Sequence, residues 1–364
     1  MLTGVEAKFI TEQDWMGTPG KRKSRILFGL VLATFALLVA ACAPDAPQDV
    51  LKPEGLFARE ADRLWRIVFP IAVVIFFVVE GVLIFAVIKY RQRPGREAKQ
   101  FHGNTKIEVA LTAIPALILA GIAVPTVRTI FDLAEERPGS MQVTVNAHQF
   151  WWEYNYPELG ITTANELHIP VGQPVRVRLE GLLTDPVDGT EEVIHSFWVP
   201  RLMGAQDVVP GRAEFVLLQA DRPGEYWGEC KEFCGLSHAN MRLRVIAQPQ
   251  EEFDAWVQDM QATEEHEATL EGADLFVNGA DNIGQPCSAC HSVEASQEQP
   301  RIGPNLGGFS ERGTFAGAIF ENNEENLSAW LRNPPAVKPG AKMPNLNLTS
   351  EQVDALIEYL QSLE

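Results

Sequence analysis

The chain has 364 residues, of which 46% are hydrophobic and 21% charged, and its formal net charge is −18. This composition excludes a disordered or collagen-like chain, and the length predicts two or three domains. The negative charge argues against nucleic-acid binding, because neutralising a phosphate backbone requires a basic surface. The charge is uneven: residues 1–130 carry 16 basic and 11 acidic side chains, whereas residues 131–364 carry 14 and 37.

The first predicted element is an export signal over residues 1–41. A basic run at 21–25 precedes a short apolar stretch at 26–41, as in cleaved signals. The small residues directly before Cys42 resemble the cleavage box of a bacterial lipoprotein. Cys42 is therefore the candidate lipidation site, and residues 42–63 are expected to be a tether. The alternative is an uncleaved membrane helix with an incidental cysteine.

Two longer apolar runs follow within residues 64–131. The run at 67–88 is long enough to cross a bilayer, and the run at 107–131 contains two prolines, which membrane helices tolerate. We therefore predict a hairpin of two membrane helices at about 66–89 and 107–130. The loop between them is rich in Lys and Arg, so the positive-inside rule places everything after the second helix on the outer side.

Two carboxylates lie in these predicted helices. Glu80 is inside the first apolar run, and Glu108 is at the cytoplasmic end of the second. A carboxylate in a membrane is costly and often functional. For Glu80, contact with a partner subunit and a functional role both stay open. Glu108 is predicted to lie near the membrane interface, and an exposed surface position is by itself the simpler explanation for it.

The pattern changes to that of a β domain over residues 132–249. Segments such as 141–146 and 214–218 alternate apolar and polar residues, and Gly and Pro turn signals separate them at short intervals. This pattern predicts an antiparallel sandwich or barrel. Residues 250–269 have helical spacing followed by an acidic stretch, which predicts a closing helix and a linker.

The β domain contains residues of the types that bind soft metals. The run from Cys230 to Met241 has the spacing Cys-x3-Cys-x3-His-x2-Met, with Cys234 and His238 between them, and His195 lies upstream. Thiolates, imidazoles and a thioether together select copper, and two thiolates can bridge two copper ions. A disulfide would leave the His and Met spacing unexplained. A structural zinc site would not need the methionine.

The last part of the chain, residues 270–364, carries Cys287-Ser-Ala-Cys290-His291. Cys-x-x-Cys-His attaches c-type haem, with the thiols bound to the porphyrin and the histidine below the iron. A redox or zinc motif is the alternative, but the adjoining histidine and the later Met343 as sixth ligand favour haem. Segments of helical spacing lie at 270–279, 326–331 and 350–363.

These motifs together resemble subunit II of the haem–copper cytochrome c oxidases. The resemblance covers residues 60–250 and includes the helix hairpin, the aromatic run at 148–154, the segments at 195–197 and 207–212, and the two-cysteine loop. Residues 270–364 resemble a class I cytochrome c. The fold class implied is a multidomain membrane protein: a two-helix transmembrane hairpin, then a cupredoxin-like antiparallel β-barrel, then an all-α class I cytochrome c domain.

The resemblance also implies roles for individual residues. The ligands of a dinuclear copper centre, called CuA in the family, would be His195, Cys230, Cys234, His238, Met241 and the backbone carbonyl of Glu232. The Glu232 side chain would reach a magnesium ion shared with subunit I. Glu108 matches a glutamate at the mouth of a proton channel. Cys287 and Cys290 would bind haem c covalently, with His291 and Met343 as iron ligands.

The function implied is that of the electron-transfer subunit of a respiratory cytochrome c oxidase in a bacterial inner membrane, with both soluble domains on the periplasmic side. Electrons from cytochrome c, or from an upstream quinol–cytochrome c reductase, would pass through the haem and the copper pair to subunit I. There oxygen is reduced to water and protons are translocated. Subunits I and III and membrane lipid would be partners. The alternatives are the CuA subunit of a nitric oxide reductase and a non-enzymatic copper carrier.

One position departs from the family. The family usually has a Trp directly after His-Gln, which accepts electrons from soluble cytochrome c, whereas this chain has Phe150. A phenylalanine differs in oxidation potential and hydrogen bonding, which weakens the case for docking of a separate cytochrome c there. Trp151 and Trp152 are the other candidates for accepting electrons. A fused donor has a high effective concentration, which would explain why Phe150 is tolerated.

Overall fold

The computed structural model describes residues 28–30, 32–34, 36–37, 46–95, 102–262, 271–294 and 302–363. The chain separates into two compact units, Met1–Ala46 and Pro47–Glu364. The described residues between 28 and 37 are helical. Cys42 and most of the predicted signal lie outside the described residues.

Within the described part of the second unit, two long apolar helices come first: α1 (Leu56–Lys89) and α2 (Thr105–Ala134). Both are long and apolar enough to cross a membrane. Pro70 in α1, and Pro115 and Pro125 in α2, lie inside the helices without ending them. Most of their large apolar side chains are exposed in the isolated chain, as expected of surfaces that lipid or partner helices cover.

Helix α1 begins at Leu56, whereas the apolar run predicted a start near residue 66. Its first turns are charged and contain ion pairs at helical spacing, Arg63 with Glu60 and Arg66 with Asp62. Such pairs stabilise a helix without any hydrophobic pattern, which is why the apolar run did not reveal this start. The helix therefore takes in part of the segment predicted as a tether.

Contacts with the β domain hold the start of α1. The Glu54 carboxylate accepts a hydrogen bond from the Tyr226 hydroxyl at 2.9 Å and pairs with Arg201. Arg59 pairs with Asp221. The membrane helix is thus connected to the β domain through polar contacts at its outer end.

Among the described residues, ten strands form two five-stranded sheets. The first sheet has the order β3-β2-β1-β5-β8, with β1 Met141–His148, β2 Trp151–Tyr156, β3 Ile161–Ala164, β5 Val175–Gly181 and β8 Ala213–Leu218. The second has the order β4-β10-β9-β6-β7, with β4 Glu166–Pro170, β6 His195–Trp198, β7 Gln206–Val208, β9 Gly224–Cys230 and β10 Arg242–Gln248. The faces between the sheets form one core that includes Trp152, Tyr154 and Phe197. This sandwich confirms the predicted cupredoxin-like class.

Strand pairing differs in one respect from the alternation pattern, which predicted antiparallel neighbours. In the described residues β1 pairs with β5, and β4 with β10, in parallel. Alternation reports which face of a strand is buried, but partners and directions follow from how the chain crosses between sheets. These crossings place β6 beside β9, with Phe197 opposite Cys230.

Helix α3 (Gln250–Gln261) closes the β domain. The domain predicted at residues 270–364, called the haem-type domain below, follows. Its described elements are α4 Glu271–Asn278, the short strands β11 Thr314–Phe315 and β12 Phe320–Glu321, and the helices α5 Glu324–Arg332, α6 Pro334–Val337 and α7 Ser350–Gln361. The side chains of Asn323 and Thr349 cap α5 and α7. A second core between α4, α5 and α7 includes Phe276, Leu327 and Leu356. The domain is helical apart from the short β11–β12 pair, which confirms the predicted helical class.

Gly272 marks the close approach of α4 to α7. An added Cβ there would overlap the Ala355 carbonyl oxygen and would lie 2.7 Å from Tyr359 Cβ. We expect Gly272→Ala to destabilise this domain by about 1–3 kcal/mol, because an overpacked contact forces the helices apart. Thermal unfolding followed by circular dichroism measures the effect. Gly284→Ala is the control, since a Cβ there has no atom within 4 Å. Equal melting temperatures for the two variants would contradict this packing.

Candidate metal centre and cofactor cavity

The candidate copper ligands come from three places in the β domain. His195 begins β6, and Cys230 ends β9. Cys234 lies in the loop that follows, His238 in a short 3-10 turn, and Met241 directly before β10. The Cys230 amide donates to the Met241 carbonyl at 2.9 Å, which closes this loop at its base. The first and last ligand candidates of the loop are therefore neighbours.

The donor atoms converge around the two sulfurs. Cys230 Sγ lies 3.8 Å from Cys234 Sγ, 3.9 Å from His195 Nδ1 and 3.2 Å from the Glu232 carbonyl oxygen. On the other side, Cys234 Sγ lies 3.7 Å from His238 Nδ1 and 3.9 Å from Met241 Sδ. Each sulfur thus has its own imidazole and one further weak donor beside it.

This arrangement fits soft metal ions. The distance between the sulfurs is far longer than the roughly 2.05 Å of a disulfide, and both cysteines are free thiols. His195, Cys230, Cys234 and Met241 are all buried. With the half-buried His238, these residues form a set of two thiols, two imidazoles and a thioether that matches the preference of copper.

Electrostatics around the sulfur pair favour one thiolate. The pKa of Cys230 falls to about 4, because Cys234 and His195 hydrogen bond to its thiolate. The pKa of Cys234 lies well above its ordinary value, because Cys234 donates to that thiolate, is buried, and would place a second negative charge beside the first. Two bound cations would remove this repulsion, so metal binding and loss of the second proton are coupled.

Glu192 supports His195 from the side opposite the sulfurs. Its carboxylate oxygen lies 3.7 Å from His195 Nε2, and both side chains are about 1% exposed. Burial opposes protonation of His195, but Cys230 and Glu192 outweigh it and raise the pKa of this imidazole. At this distance the two groups form an ion pair and not a hydrogen bond, so the carboxylate acts on the imidazole through its charge. The sequence offered no signal for Glu192 beyond its position three residues before His195.

The haem-type domain contains an apolar cavity of about 520 Å³. Cys287, Cys290, His291 and Met343 all line it, together with apolar side chains such as Phe309. The four residues predicted to bind haem therefore face one space of suitable character.

The surroundings of His291 favour the neutral form of its imidazole, which is the form that can bind iron. Its Nδ1 lies 2.8 Å from the Pro304 carbonyl oxygen, so Nδ1 carries the proton and Nε2 is the basic nitrogen. Burial lowers the pKa of the imidazole most, and the positive charge of the nearby Arg312 lowers it further. A neutral imidazole with one nitrogen tied to a carbonyl is the form that ligates a metal.

The two cysteine pairs differ in their acidity. Burial raises the pKa of Cys287 to about 11 and also raises the pKa of Cys290. Reactive redox cysteines sit where their pKa is lowered, so the Cys287 pair lacks the environment of a redox motif.

The cofactor cavity extends onto the β domain. Gln149, Phe150, Trp151, Asn165 and Val187 form part of its wall. Phe150 is only 6% exposed, so it does not offer a free surface for a separate protein. Trp152 is fully buried in the β core, edge-on to Phe197.

Gln149 connects this wall to the sulfur pair. Its side-chain Nε2 donates to the Cys234 carbonyl oxygen at 2.5 Å. A Cβ on Gly235 would lie 3.1 Å from the Phe150 ring. Phe150 therefore packs directly against the loop of candidate copper ligands, Cys230–Met241, which is called the copper loop below. Sequence reasoning named Phe150 and Trp151 but gave no role to Gln149, whose bond depends on the loop conformation.

The remaining predicted residues lie apart from these sites. Glu108 is exposed in the first turn of α2 and is not among the residues around the sulfurs or the cavity. The Glu232 side chain is exposed, and it is the backbone of this residue that approaches Cys230. The proposed roles of Glu108 in proton transfer and of Glu232 in magnesium binding stay predictions.

Three family models match the chain in consecutive segments. Residues 56–129 match the transmembrane domain of cytochrome c oxidase subunit II, and residues 141–248 match its periplasmic domain. Residues 271–364 match cytochrome c.

Several curated proteins are similar over most of the chain. Cytochrome c oxidase subunit 2 of Alkalihalophilus pseudofirmus is 36% identical, with 92% of this chain and 96% of the relative covered. The same subunit of Bacillus subtilis (strain 168) is 32% identical, with 92% and 97% covered. That of Bacillus sp. (strain PS3) is 37% identical, with 76% and 80% covered. A crystal structure of the periplasmic domain of subunit II of cytochrome oxidase of Bradyrhizobium japonicum is 26% identical, covers 34% of this chain and 94% of its own, and has a TM-score of 0.30.

Gly303 tests the placement of His291. An added Cβ would lie 2.6 Å from His291 Cε1 and 3.0 Å from Nδ1, which would push the ring from the Pro304 carbonyl. We expect Gly303→Ala to weaken iron binding by His291 about tenfold or more, because outer-shell hydrogen bonds set ligand strength. The visible spectrum of six-coordinate haem reports this loss. In the control, Gly313→Ala, the Cβ makes an ordinary 3.6 Å contact. An unchanged haem spectrum in Gly303→Ala would refute the assigned ring position.

Proposed function

We propose that this chain, which belongs to the cytochrome c oxidase subunit II family and carries a cytochrome c domain, receives electrons on that domain and passes them through its β domain to an oxygen-reducing partner subunit. Membership of the family implies a copper site in the β domain and a haem in the C-terminal domain. Oxygen reduction and proton translocation are assigned to subunit I of the complex.

The shared wall of the cofactor cavity carries this proposal. Phe150 borders the haem-type cavity on one side and packs on Gly235 of the copper loop on the other. Gln149 hydrogen bonds to the backbone of Cys234. A donor site and an acceptor site that adjoin through one short segment suit electron transfer within the chain.

The chain's own residues would hold the two groups. A dinuclear copper centre would be bound by the thiolates of Cys230 and Cys234, by one imidazole and one weak donor beside each, and a covalent haem c by Cys287, Cys290, His291 and Met343. Both groups, when bound, supply reversible one-electron chemistry. Burial of the ligands excludes water, and the preformed protein donors reduce rearrangement on a change of charge.

The proposed setting is a bacterial inner membrane. The hairpin of α1 and α2 would span the bilayer, with the two cofactor domains on the periplasmic side and subunits I and III as neighbours. A cytochrome c or an upstream quinol–cytochrome c reductase would be the donor. The similarity to named oxidase subunits over 92% of the chain favours oxygen as acceptor over nitric oxide. A copper carrier would not need the second cofactor cavity.

Replacing one thiol tests the copper centre. We expect Cys234→Ser to abolish the purple absorption of the mixed-valence pair and oxidase turnover, because the centre would lose one of the two thiolates that would hold it. Copper analysis and visible spectra measure this. Ala239→Ser is the control, since it places a serine at an exposed position of the same loop and keeps every ligand candidate. Normal turnover in Cys234→Ser would overturn the ligand assignment.

Blocking haem attachment tests the route of electrons. We expect Cys287→Ala to lower the oxidation rate of soluble cytochrome c by about tenfold or more, because a tethered donor has a high effective concentration that a separate one lacks. Ser288→Ala, within the same motif, keeps both thiols and should retain the wild-type rate. If Cys287→Ala oxidises cytochrome c normally, electrons enter the β domain directly near Phe150 or Trp151.

A further inference from the structure

A buried lysine joins the haem-type domain to the β domain. Lys338 follows α6 and is 3% exposed. Its ammonium donates at 2.8 Å to the carbonyl oxygen of Phe150 and at 2.8 Å to that of Ala316. One cationic group therefore binds backbone oxygens from both domains at the same point.

The position is unusual for a lysine. Burying an ammonium is costly unless hydrogen bonds or an opposite charge compensate it. Within the part of the chain that the structure describes, the polar contacts of its ammonium are the two carbonyl oxygens. Burial lowers the pKa of Lys338 to about 7. A charged group that is buried at a domain boundary despite this cost indicates a role in holding the two domains together.

Lys338 acts on the segment that separates the two cofactor sites. It lines the cofactor cavity itself, and Phe150, whose carbonyl it binds, lines the same cavity and packs on Gly235. The neighbouring Gln149 hydrogen bonds to Cys234. A shift of Lys338 would therefore change how closely the cavity approaches the sulfur pair.

Other hydrogen bonds between the two domains lie around Lys338, and their amides can be used to measure whether the domains separate locally. The Glu166 carboxylate accepts hydrogen bonds from the Thr314 amide at 2.7 Å and from the Thr314 hydroxyl at 2.6 Å. The Arg242 amide donates to the Gly317 carbonyl oxygen at 3.0 Å. Backbone amides in such contacts exchange with solvent when the domains separate locally.

We propose that Lys338 is a positioning residue for electron transfer between the two domains: its ammonium fixes the haem-type domain against Phe150 and so sets the separation that the electron crosses. The proposal rests on the proposed function. In the step concerned, one electron would leave the reduced haem iron and would be taken up by the copper pair. No covalent bond forms or breaks, and Lys338 itself is neither oxidised nor reduced.

The test uses the purified oxidase complex with both cofactors bound. We expect Lys338→Met, which keeps an unbranched side chain of similar size but removes the ammonium, to slow haem-to-copper transfer by about tenfold. The reason is that loss of a charge-assisted hydrogen bond lowers the population of the docked arrangement from which the electron crosses. Rapid reduction of the haem, followed by absorption of both centres, measures the rate. The midpoint potentials and the copper and haem contents should stay at wild-type values. Lys52→Met, at an exposed lysine before α1, is the control.

Hydrogen exchange gives a second readout that does not depend on turnover. In Lys338→Met, the amides of Thr314 and Arg242 should exchange about tenfold faster, because both are bonded across the boundary. Amides inside each domain, such as Val145 in β1 and Val353 in α7, should keep their protection.

A second variant addresses the case in which Lys338→Met loses a cofactor. A Cβ on Gly317 would lie 2.6 Å from Lys338 Nζ, 2.8 Å from the Asn240 carbonyl oxygen and 3.0 Å from the Phe150 carbonyl oxygen, and its φ of +81° is strained for alanine. Gly317→Ala therefore disturbs the same contact from the backbone side while keeping the lysine. Slower transfer and faster exchange across the boundary are expected here too.

The outcomes separate the two proposals. Wild-type transfer and exchange in a fully loaded Lys338→Met complex would overturn the role of Lys338. Loss of haem or copper from both variants would assign Lys338 to folding and would overturn it as well. If the wild-type complex itself shows no transfer from haem to copper, it is the proposed function that fails.

Discussion

The hydrogen bond between the Cys230 amide and the Met241 carbonyl is the constraint on which the metal site depends. It closes a loop of twelve residues between two inner strands of a sheet, β9 and β10, so that ligands at its two ends become neighbours. Pairing of β9 with β6 and β10 keeps the ends of the loop in register, and β6 supplies His195. The loop therefore needs no disulfide, and its thiols stay available for metal.

The same residue type serves two opposite purposes in this chain. Hydrogen-bond donors around Cys230 stabilise its thiolate, whereas burial without such donors keeps the thiol of Cys287 protonated. The first environment suits a thiolate that bridges metal ions. The second suits a thiol that is consumed in a covalent bond to a porphyrin. The two pairs share their side-chain type, and the lowered pKa of Cys230 is what sets the first pair apart.

The contact between the domains gives a physical meaning to Phe150. An exposed aromatic residue at the surface would have to bind a separate donor, and there the properties of tryptophan would matter. Here Phe150 is buried between the cavity of the haem-type domain and Gly235. Its part is then mainly that of a packed spacer, for which an apolar ring is sufficient. On the proposed function, the attached domain takes the place that a soluble donor would otherwise occupy.

The sequence by itself determined the fold class, the order of the domains and the residue types of both candidate sites. It could do so because apolar length, alternation and the spacing of Cys, His and Met are local properties of the chain. The start of α1 at Leu56 was missed, since charged pairs rather than an apolar run stabilise its first turns. The parallel pairing of β1 with β5, the support of His195 by Glu192 and the reach of Lys338 to Phe150 were decided by the tertiary structure. Each of these joins residues far apart in the chain, and no local pattern records which distant backbone or side chain a residue will meet.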